Sequence, residues 1–572
     1  MEGILSIFQN VDQVTLRIFV QVVRYLVPVF SALLLLRCIQ PLLTFRREPE
    51  IWAWLKLSDD RRLPITHWES IIGSSKRSDV VMALPSIAKS HAVLTRYDDG
   101  SWTISTIGTK SGIKVNGVPV EICALEPEDE IEIGGVTMEL VPISRKQEIR
   151  LAQLRTKATH PIHSLANVLL LTVIQALICI AYLFGAGEHA QSVFTGFAGI
   201  AVCQWLLLVF YLCVKKPSFE IEALAFFLCT LGMAAISAVK PGEAVKQLIA
   251  LVMGLALFLF IGWSLRDLER AKKMRYYAAA AGIGFLIITL LFGKEYHGAK
   301  NWLVIGGMSF QPSELSKVCF VFVGASAMDR IVNKRNLILF IGYTLVICAC
   351  LAVMNDFGTA LIFFVAFLLI AYMRSGSVGT VALACTSLGF AGVIALKIAP
   401  HALRRFSTWR HIWEDPLNKG YQQTRSLMCL ASGGLFGIGA GKGWMSHVFA
   451  ADSDVVIATI AEEWGLLLVL MMIVCVLGLG LFAVRSAAIE RSTFFTIGAC
   501  AAAGILLFQA ILNALGTVDV LPLTGVTFPF VSNGGSSMIG AWGLLAFVKA
   551  ADTRQNASFA VRQSKEGIPD DE

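Results

Sequence analysis

Charged residues are scarce in this chain. They account for 16% of its 572 residues, whereas 56% are hydrophobic and the mean hydropathy is +0.67. Soluble domains usually carry about 25% charged residues, so this composition excludes an ordinary soluble protein and indicates a polytopic membrane protein with some soluble mass attached. The basic residues behind the net charge of +7 are scattered over short loops, so no nucleic-acid partner is expected.

The chain also lacks the cysteine pattern of a disulfide-bonded protein. No two of its 13 cysteines form a Cys-x-x-Cys pair, and most lie inside apolar runs, where cysteine behaves as a small hydrophobic residue. No cleavable signal peptide is evident either. The first apolar run begins near Thr15 and extends to about Leu43, which is long enough to span a membrane.

Long apolar runs predict about thirteen membrane-spanning helices, because a helix needs roughly 20 apolar residues to cross the hydrocarbon core. They are expected near residues 15–43, 163–186, 192–214, 219–238, 246–265, 274–293, 313–329, 335–354, 358–373, 378–398, 456–484, 493–516 and 536–551.

Lys and Arg in the connections predict the orientation, because such residues collect on the cytoplasmic side. With thirteen helices threaded in order, every basic connection falls on one side: residues 46–48, 215–216, 266–275, 329–335, 374–377 and 485–492. This places the N-terminus outside, residues 45–160 and the C-terminal tail in the cytoplasm, and the large polar loop 399–455 outside.

The expected fold is a polytopic α-helical membrane protein with a small all-β sandwich inserted after the first span. We divide it into an N-terminal transmembrane anchor (1–45), a cytoplasmic sandwich (50–145), two additional transmembrane helices (160–215), a membrane core of about ten spans (216–552) and a cytoplasmic tail (553–572).

The inserted segment between Leu63 and Pro142 has a hydrophobic period of two. Short β-branched runs are bounded by Gly, Asp, Ser and Asn, which predicts a β-sandwich. The order IIGSS (71–75), AKSHA (88–92) and GTKSGIKVNG (108–117) resembles a forkhead-associated (FHA) domain. The resemblance implies a cytoplasmic phosphoprotein partner, bound through its phosphothreonine.

The insert departs from the FHA pattern at the binding positions. Ser74, Ala88 and Ser111 stand where the family has Arg, Ser and Asn, whereas the retained residues mostly hold turns and core: Gly73, His91, Asn116 and Gly117. The candidates for phosphopeptide contact are Lys89, Ser90, Ser111 and Asn116. Two interpretations stay open: retained phosphopeptide binding, and a docking module that no longer needs phosphate.

Three polar stretches lie at the expected outer ends of membrane helices. In QPSELSK (311–317), Glu314 and Lys317 share one helix face, and charges at that depth usually pair or line a polar cavity. In NDFGTA (355–360), Asp356 is placed to cap the next helix. The stretch LPLTGVTFPFVSNGGSS (521–537) breaks the last spans, which predicts a groove or a re-entrant loop.

Together with DPLNKGYQ (415–422), SGGLFGIG (432–439) and the Glu-Glu-Trp-Gly quartet (462–465), these stretches resemble the SEDS family (shape, elongation, division and sporulation) of RodA/FtsW/SpoVE-like proteins. The match covers about residues 219–551. It implies a peptidoglycan glycosyltransferase that polymerises lipid II, an undecaprenyl-pyrophosphate-linked disaccharide peptide, at the outer face of the bacterial cytoplasmic membrane during division, elongation or sporulation. A class B penicillin-binding protein is the implied partner.

The SEDS resemblance places the catalytic aspartate at Asp415, which is otherwise a turn residue before Pro416. A carboxylate there would take the proton from the acceptor 4-hydroxyl during attack on the donor's anomeric carbon, for about 10²–10⁴-fold in rate. One-step displacement inverts that centre and gives a β-1,4 chain. The expected substrate-binding residues are Lys300, Trp302, Gln311, Glu314, Lys317, Gln422, Ser426, Glu463, Ser532 and Ser536.

The pyrophosphate leaving group needs positive charge rather than an acid catalyst. The outer-side candidates are Lys300, Lys317, Arg404, Arg405 and Arg425. A divalent cation, Mg²⁺ or Mn²⁺, is a further expectation, because it would bridge the phosphates. No organic cofactor is expected.

Departures from the SEDS pattern occur at Arg425, at Asn301 and over residues 450–454. Two other functions compete with polymerisation. One is a flippase or transporter for a lipid-linked cell-wall precursor, with the Glu314–Lys317 pair along its path. The other is an FHA-linked membrane scaffold without catalysis, against which the intact Asp415 motif argues.

Overall fold

A computed structural model describes residues 13–44, 50–76, 78–97, 100–107, 112–144, 146–147, 150, 160–266, 268–296, 299–305, 308–327, 334–375, 378–398, 403, 406–489, 492–554 and 557. Their secondary structure is mostly helical, with an all-β region at residues 53–142. The predicted fold class is confirmed.

The β region is a sandwich of two sheets within the predicted insert. Eleven strands run in chain order: β1 Ala53–Leu57, β2 Arg62–Ile65, β3 Glu69–Gly73, β4 Val80–Val81, β5 Ala92–Arg96, β6 Trp102–Thr106, β7 Ile113–Val115, β8 Val118–Val120, β9 Ile122–Leu125, β10 Glu130–Ile133 and β11 Val136–Pro142. One sheet has the order β2-β1-β11-β10-β7-β8 and the other β4-β3-β5-β6-β9. Alternate residues of β1 are buried, as the period of two predicts. The sandwich therefore has its own apolar core.

The helices extend over the remainder of the chain. They are α1 Gln13–Leu43, α2 Pro161–Leu183, α3 Ala190–Cys213, α4 Glu220–Val239, α5 Ala244–Leu265, α6 Leu268–Phe292, α7 Ser313–Ala327, α8 Lys334–Val353, α9 Phe357–Ser375, α10 Val378–Ile398, α11 Tyr421–Gly433, α12 Val456–Trp464, α13 Leu466–Ala487, α14 Thr493–Thr517 and α15 Gly535–Ala550. Three short strands, β12 Lys294–Tyr296, β13 Ala299–Ile305 and β14 Met308–Phe310, connect α6 to α7.

Among the described residues, ten helices are long and apolar enough to cross a membrane. The shorter α7 and α15, together with α10, coincide with three further predicted spans, so each predicted span has a helix. The predicted span at 456–484 differs, because the chain breaks into α12 and α13 at Gly465. This glycine has φ +90°, and a Cβ on it would lie 2.2 Å from the Leu435 carbonyl oxygen, so a continuous helix does not fit.

The helix α4 lies at the centre of the helical body, and nearly all of its residues are buried. It packs against the additional helices α2 and α3 as well as α12. Trp542 on α15 anchors the core, since its ring lies 5.0 Å from the Phe226 ring and 5.6 Å from the Phe258 ring. The additional helices are thus integrated with the membrane core.

Polar contacts collect at the two ends of the helices. At one end, Lys549 pairs with Glu222, and Arg374 Nη1 lies 3.7 Å from Glu69 Oε2 of the sandwich. At the other end, Lys240 pairs with Asp452. Segments assigned to the same side by the loop charges therefore meet in the structure.

Candidate active site

The broken segment between α14 and α15, residues 518–534, joins the polar loops at the predicted outer end. Its first part holds loop 406–420, because the Val520 carbonyl accepts a hydrogen bond from Trp409 Nε1 (3.1 Å) and Asp519 Oδ1 accepts one from the Arg410 N–H (3.3 Å). Its last part contacts the stretch before α12, where Ser532 Oγ donates to the Ser453 carbonyl (2.6 Å). Residues 518–534 therefore connect the loops that form the candidate site.

Asp415 lies half-buried in a turn of the loop before α11. The turn closes tightly, because the Gly420 N–H donates to the Asp415 carbonyl (3.0 Å). Asn418 Nδ2 donates to Asp415 Oδ1 at 2.9 Å, whereas the Lys419 N–H lies 3.5 Å from Oδ2. One carboxylate oxygen is thus fixed, and the other has a weak contact within the described part of the chain.

A second polar cluster surrounds Asp356, before α9. Its Oδ1 accepts a hydrogen bond from the Thr359 N–H (3.1 Å), so the predicted helix cap is confirmed. Its Oδ2 accepts hydrogen bonds from Asn301 Nδ2 (3.0 Å) and Gln311 Nε2 (3.2 Å). The Gln311 N–H in turn donates to Ser536 Oγ at the start of α15 (3.0 Å). This cluster joins three elements of the site.

The predicted ion pair on α7 is also confirmed. Glu314 and Lys317 are buried, with 2.6 Å between Oε2 and Nζ. Lys300 donates from Nζ to the Leu290 carbonyl near the end of α6 (2.6 Å), and Trp302 is half-buried on β13. Lys300 therefore contributes to fixing β13, and its role in substrate binding stays a prediction.

Glu463, on α12, is held against the glycine-rich loop 434–443. Its carboxylate accepts hydrogen bonds from the N–H groups of Gly441 (3.1 Å) and Gly443 (3.2 Å) and from the Tyr182 hydroxyl. Gly443 permits this approach, because a Cβ on it would lie 2.8 Å from Glu463 Oε1. Glu463 precedes the membrane span that begins at Leu466. Burial raises the pKa of its carboxyl to about 7.

The predicted site residues on α11 contact neighbouring backbone. Gln422 Nε2 donates to the Phe449 carbonyl (2.9 Å), and Ser426 Oγ donates to the Gln422 carbonyl (2.7 Å). The Arg425 guanidinium lies 5.2 Å from the Tyr421 ring centre. Arg404 and Arg405 lie outside the described residues.

The sequence did not indicate that Asp452 has two polar partners, Lys240 and Asn533. Asp452, which is 1% exposed, accepts hydrogen bonds from Lys240 Nζ (3.0 Å) and Asn533 Nδ2 (2.7 Å). Asp452 lies in the stretch 450–454, which departs from the family pattern. The nearest signal was the Ser532-Asn533 pair in the broken segment, but sequence spacing does not indicate that it meets Asp452.

In the sandwich, the phosphopeptide candidates divide into two kinds. Lys89 and Ser90 are exposed on one loop. Asn116 instead fixes a turn, since its Nδ2 donates to Asp129 Oδ1 (2.8 Å) and its Oδ1 accepts from the Glu130 N–H (2.9 Å). Ser111 lies outside the described residues. The hydrogen bonds from the Glu126 N–H and from Asn116 hold the pKa of Asp129 below its usual range.

A divalent cation, Mg²⁺ or Mn²⁺, is expected from the sequence. No group of three or more His, Cys, Asp or Glu side chains in the described ranges forms a metal-ligand cluster. Mg²⁺ is often held by one or two carboxylates together with substrate phosphates, so the expected divalent cation stays a prediction.

Comparisons with known proteins agree with the two parts of the fold. Residues 224–557 match the FtsW/RodA/SpoVE family, described as a cell cycle protein, and residues 70–134 match the FHA domain. Over 333 residues the chain is 30% identical to the peptidoglycan glycosyltransferase RodA of Mycobacterium bovis. The matched region covers 54% of this chain and 69% of that protein.

A second relative and a solved structure extend the comparison. Over 362 residues the chain is 30% identical to the probable peptidoglycan glycosyltransferase FtsW of Tolumonas auensis. The matched region covers 59% of this chain and 92% of that protein. A chain of a solved peptidoglycan synthase complex that coordinates polymerization and crosslinking matches with a TM-score of 0.50 and 24% identity, covering 58% of this chain and 96% of that chain. This last likeness concerns the fold alone.

Proposed function

The chain belongs to the FtsW/RodA/SpoVE family, and on that premise we propose that it is a peptidoglycan glycosyltransferase that polymerises lipid II into β-1,4-linked glycan strands. It is a membrane protein with an FHA domain. The site described above faces the outside of the cell, whereas the FHA domain faces the cytoplasm. The alternation of basic connections along the sequence supports this orientation.

Asp415 is the general base in this proposal. The observation that carries it is the asymmetry of its carboxylate, where Oδ1 is oriented by Asn418 and Oδ2 has only a 3.5 Å contact among the described residues. A fixed carboxylate with one available oxygen can accept the proton of the acceptor 4-hydroxyl while that oxygen attacks the donor's anomeric carbon. The bond from that carbon to the pyrophosphate breaks on the opposite face, so the configuration inverts.

The departing pyrophosphate carries its own charge and needs no proton. Positive side chains would stabilise it, and the Arg425 guanidinium at the start of α11 is the described candidate closest in sequence to Asp415. Lys317 is already paired with Glu314. A divalent cation bound together with the substrate would supply further positive charge there.

A reconstituted assay tests this function. Purified full-length protein in lipid vesicles is given lipid II, and the products are separated by glycan length. Wild-type protein and Glu414→Gln should both form long strands, because Glu414 is exposed and pairs with His411 in the same turn. Asp415→Ala should insert normally and form none.

The outcomes also separate the competing functions. Movement of lipid II across the bilayer without polymer would replace polymerisation with transport. Strand formation by a well-inserted Asp415→Ala would remove Asp415 from the base role.

Two partners complete the proposal. A class B penicillin-binding protein would crosslink the strands as they form. A phosphoprotein would bind the FHA domain on the other side of the membrane, through the exposed Lys89 and Ser90. Any signal from that domain has to pass through the helices, and the contact between Glu69 and Arg374 at the end of α9 is one described point of attachment.

A further inference from the structure

The glycine-rich loop 434–443 is covered by helices that lie outside the family region. The family match begins at residue 224, whereas α1 and α2 precede it. On α1, the Tyr25 ring lies 5.0 Å from the Phe436 ring, and a Cβ on Gly439 would lie 3.2 Å from Val20. The additional helices therefore contact a loop of the candidate active site directly.

Tyr182, near the end of α2, makes the most specific of these contacts. Its side chain is buried, with 4% of its surface exposed. Its hydroxyl donates a hydrogen bond to Glu463 Oε2 (2.5 Å) and accepts one from Trp464 Nε1 (2.9 Å). One hydroxyl thus satisfies two side chains of the Glu-Glu-Trp-Gly quartet.

We propose that Tyr182 is a positioning residue of the active site, whose hydroxyl holds the Glu463 carboxylate in place against the glycine-rich loop. The same carboxylate accepts the N–H groups of Gly441 and Gly443, and the neighbouring Glu462 accepts that of Met445 (2.9 Å). The conformation of the loop therefore depends on how Glu463 is oriented.

Removal of the hydroxyl would take one hydrogen bond from each of two buried side chains. Trp464 Nε1 would lose its acceptor, and Glu463 Oε2 would lose a donor. An unsatisfied buried group reorients or recruits water. In either case, Glu463 holds the N–H groups of Gly441 and Gly443 less firmly. The substituted residue itself lies outside the family region.

The structure offers a matched control at the opposite end of the additional helices. Tyr211 on α3 is 2% exposed, and its hydroxyl donates to Glu222 Oε1 (2.8 Å). Tyr211→Phe removes the same kind of buried tyrosine–glutamate hydrogen bond at the end where the sandwich attaches. It separates a local effect on the loop from a general loss of stability.

Hydrogen exchange measured by mass spectrometry on the full-length protein in lipid nanodiscs tests the contact. In Tyr182→Phe, peptides that contain Gly441 and Gly443 should exchange about tenfold faster, the size expected when one partner of a buried hydrogen bond is removed. In Tyr211→Phe, those peptides should exchange as in the wild type. Equal exchange of the loop in all three proteins would overturn the proposal, as would a loop change of the same size in Tyr211→Phe.

The effect on catalysis rests on the proposed function. Tyr182→Phe should lower the kcat of lipid II polymerisation by about tenfold, and the Tyr182→Phe/Glu463→Gln double variant should be no slower than Glu463→Gln. Full additivity of the two losses would show that Tyr182 does not act through Glu463. If the wild type makes no polymer, the proposed function fails, while hydrogen exchange still decides the role of Tyr182.

Discussion

Lys549 and Glu222 form a fully buried ion pair, with 3.2 Å between Nζ and Oε1, that joins α15 to α4. The Lys549 ammonium also donates to the Ser218 carbonyl (2.8 Å), and Glu222 accepts the Tyr211 hydroxyl. These contacts hold the last helix of the family region against its first and against an additional helix. The pair is therefore a structural joint at the predicted cytoplasmic end.

Loss of one partner of this pair should be much worse than loss of both charges. Lys549→Met leaves a buried carboxylate uncompensated, which typically costs about 3–5 kcal/mol. The Glu222→Gln/Lys549→Met double variant should recover most of the stability. Thermal unfolding in detergent measures both, and equal destabilisation of the single and double variants would contradict the prediction.

Substitutions of Asp356 should separate its cap from its cross-links. Asparagine is a good N-cap, so Asp356→Asn keeps the bond to the Thr359 N–H but exchanges a charged acceptor for a neutral one opposite Asn301 and Gln311. Asp356→Ala loses both functions and should be less stable than Asp356→Asn by about 0.5–2 kcal/mol.

Polymerisation should decrease in both Asp356 variants, since Gln311 ties this cluster to Ser536 at the start of α15. Thermal unfolding and the lipid II assay together check the prediction. Full activity in Asp356→Ala would show that the cluster has no part in the site.

The FHA domain should bind phosphothreonine peptides through its exposed loop. Ser78 Oγ donates to the Lys89 carbonyl (3.1 Å), and His91 Nδ1 accepts the Ala88 N–H (3.2 Å), so the loop backbone is fixed while its side chains remain available. The Lys89→Ala/Ser90→Ala variant should bind at least about tenfold more weakly, because a charge-assisted contact is lost.

Calorimetry on the full-length protein checks this, with the unphosphorylated peptide and Lys114→Ala as controls. Lys114 is exposed and pairs with Glu132 between neighbouring strands. Absence of phosphate-dependent binding by the wild type would favour docking that does not need phosphate.

The sequence predicted the helices well because a membrane imposes long apolar runs. It missed the break at Gly465, where a positive φ and the close backbone of Leu435 end one helix and start another within a single apolar run. Hydropathy averages over such a break. The cap at Asp356 and the pair Glu314–Lys317 were predictable because both contacts are local in sequence.

The contacts of Tyr182 and Asp452 were not predictable in the same way. Tyr182 meets a residue 281 positions away and lies in an apolar helix, where a tyrosine carries no signal of a polar partner. Asp452 meets Asn533 across 81 positions. Contacts of this kind depend on the packing of helices, which the pattern of a single sequence does not specify.

Stability should depend on pH through Glu463. Burial raises the pKa of this carboxyl from 4.5 to about 7, so between these values the folded protein holds a proton that the unfolded chain releases. The free energy of unfolding therefore falls as pH rises, by up to about 3 kcal/mol between pH 4.5 and 7, after which the effect levels off. Glu463→Gln cannot titrate and should lack this contribution. Thermal unfolding of both proteins from pH 4.5 to 8 measures it as the difference between two curves, in which titrations of other groups cancel. Parallel curves over that range would mean that Glu463 keeps an ordinary pKa in the folded protein.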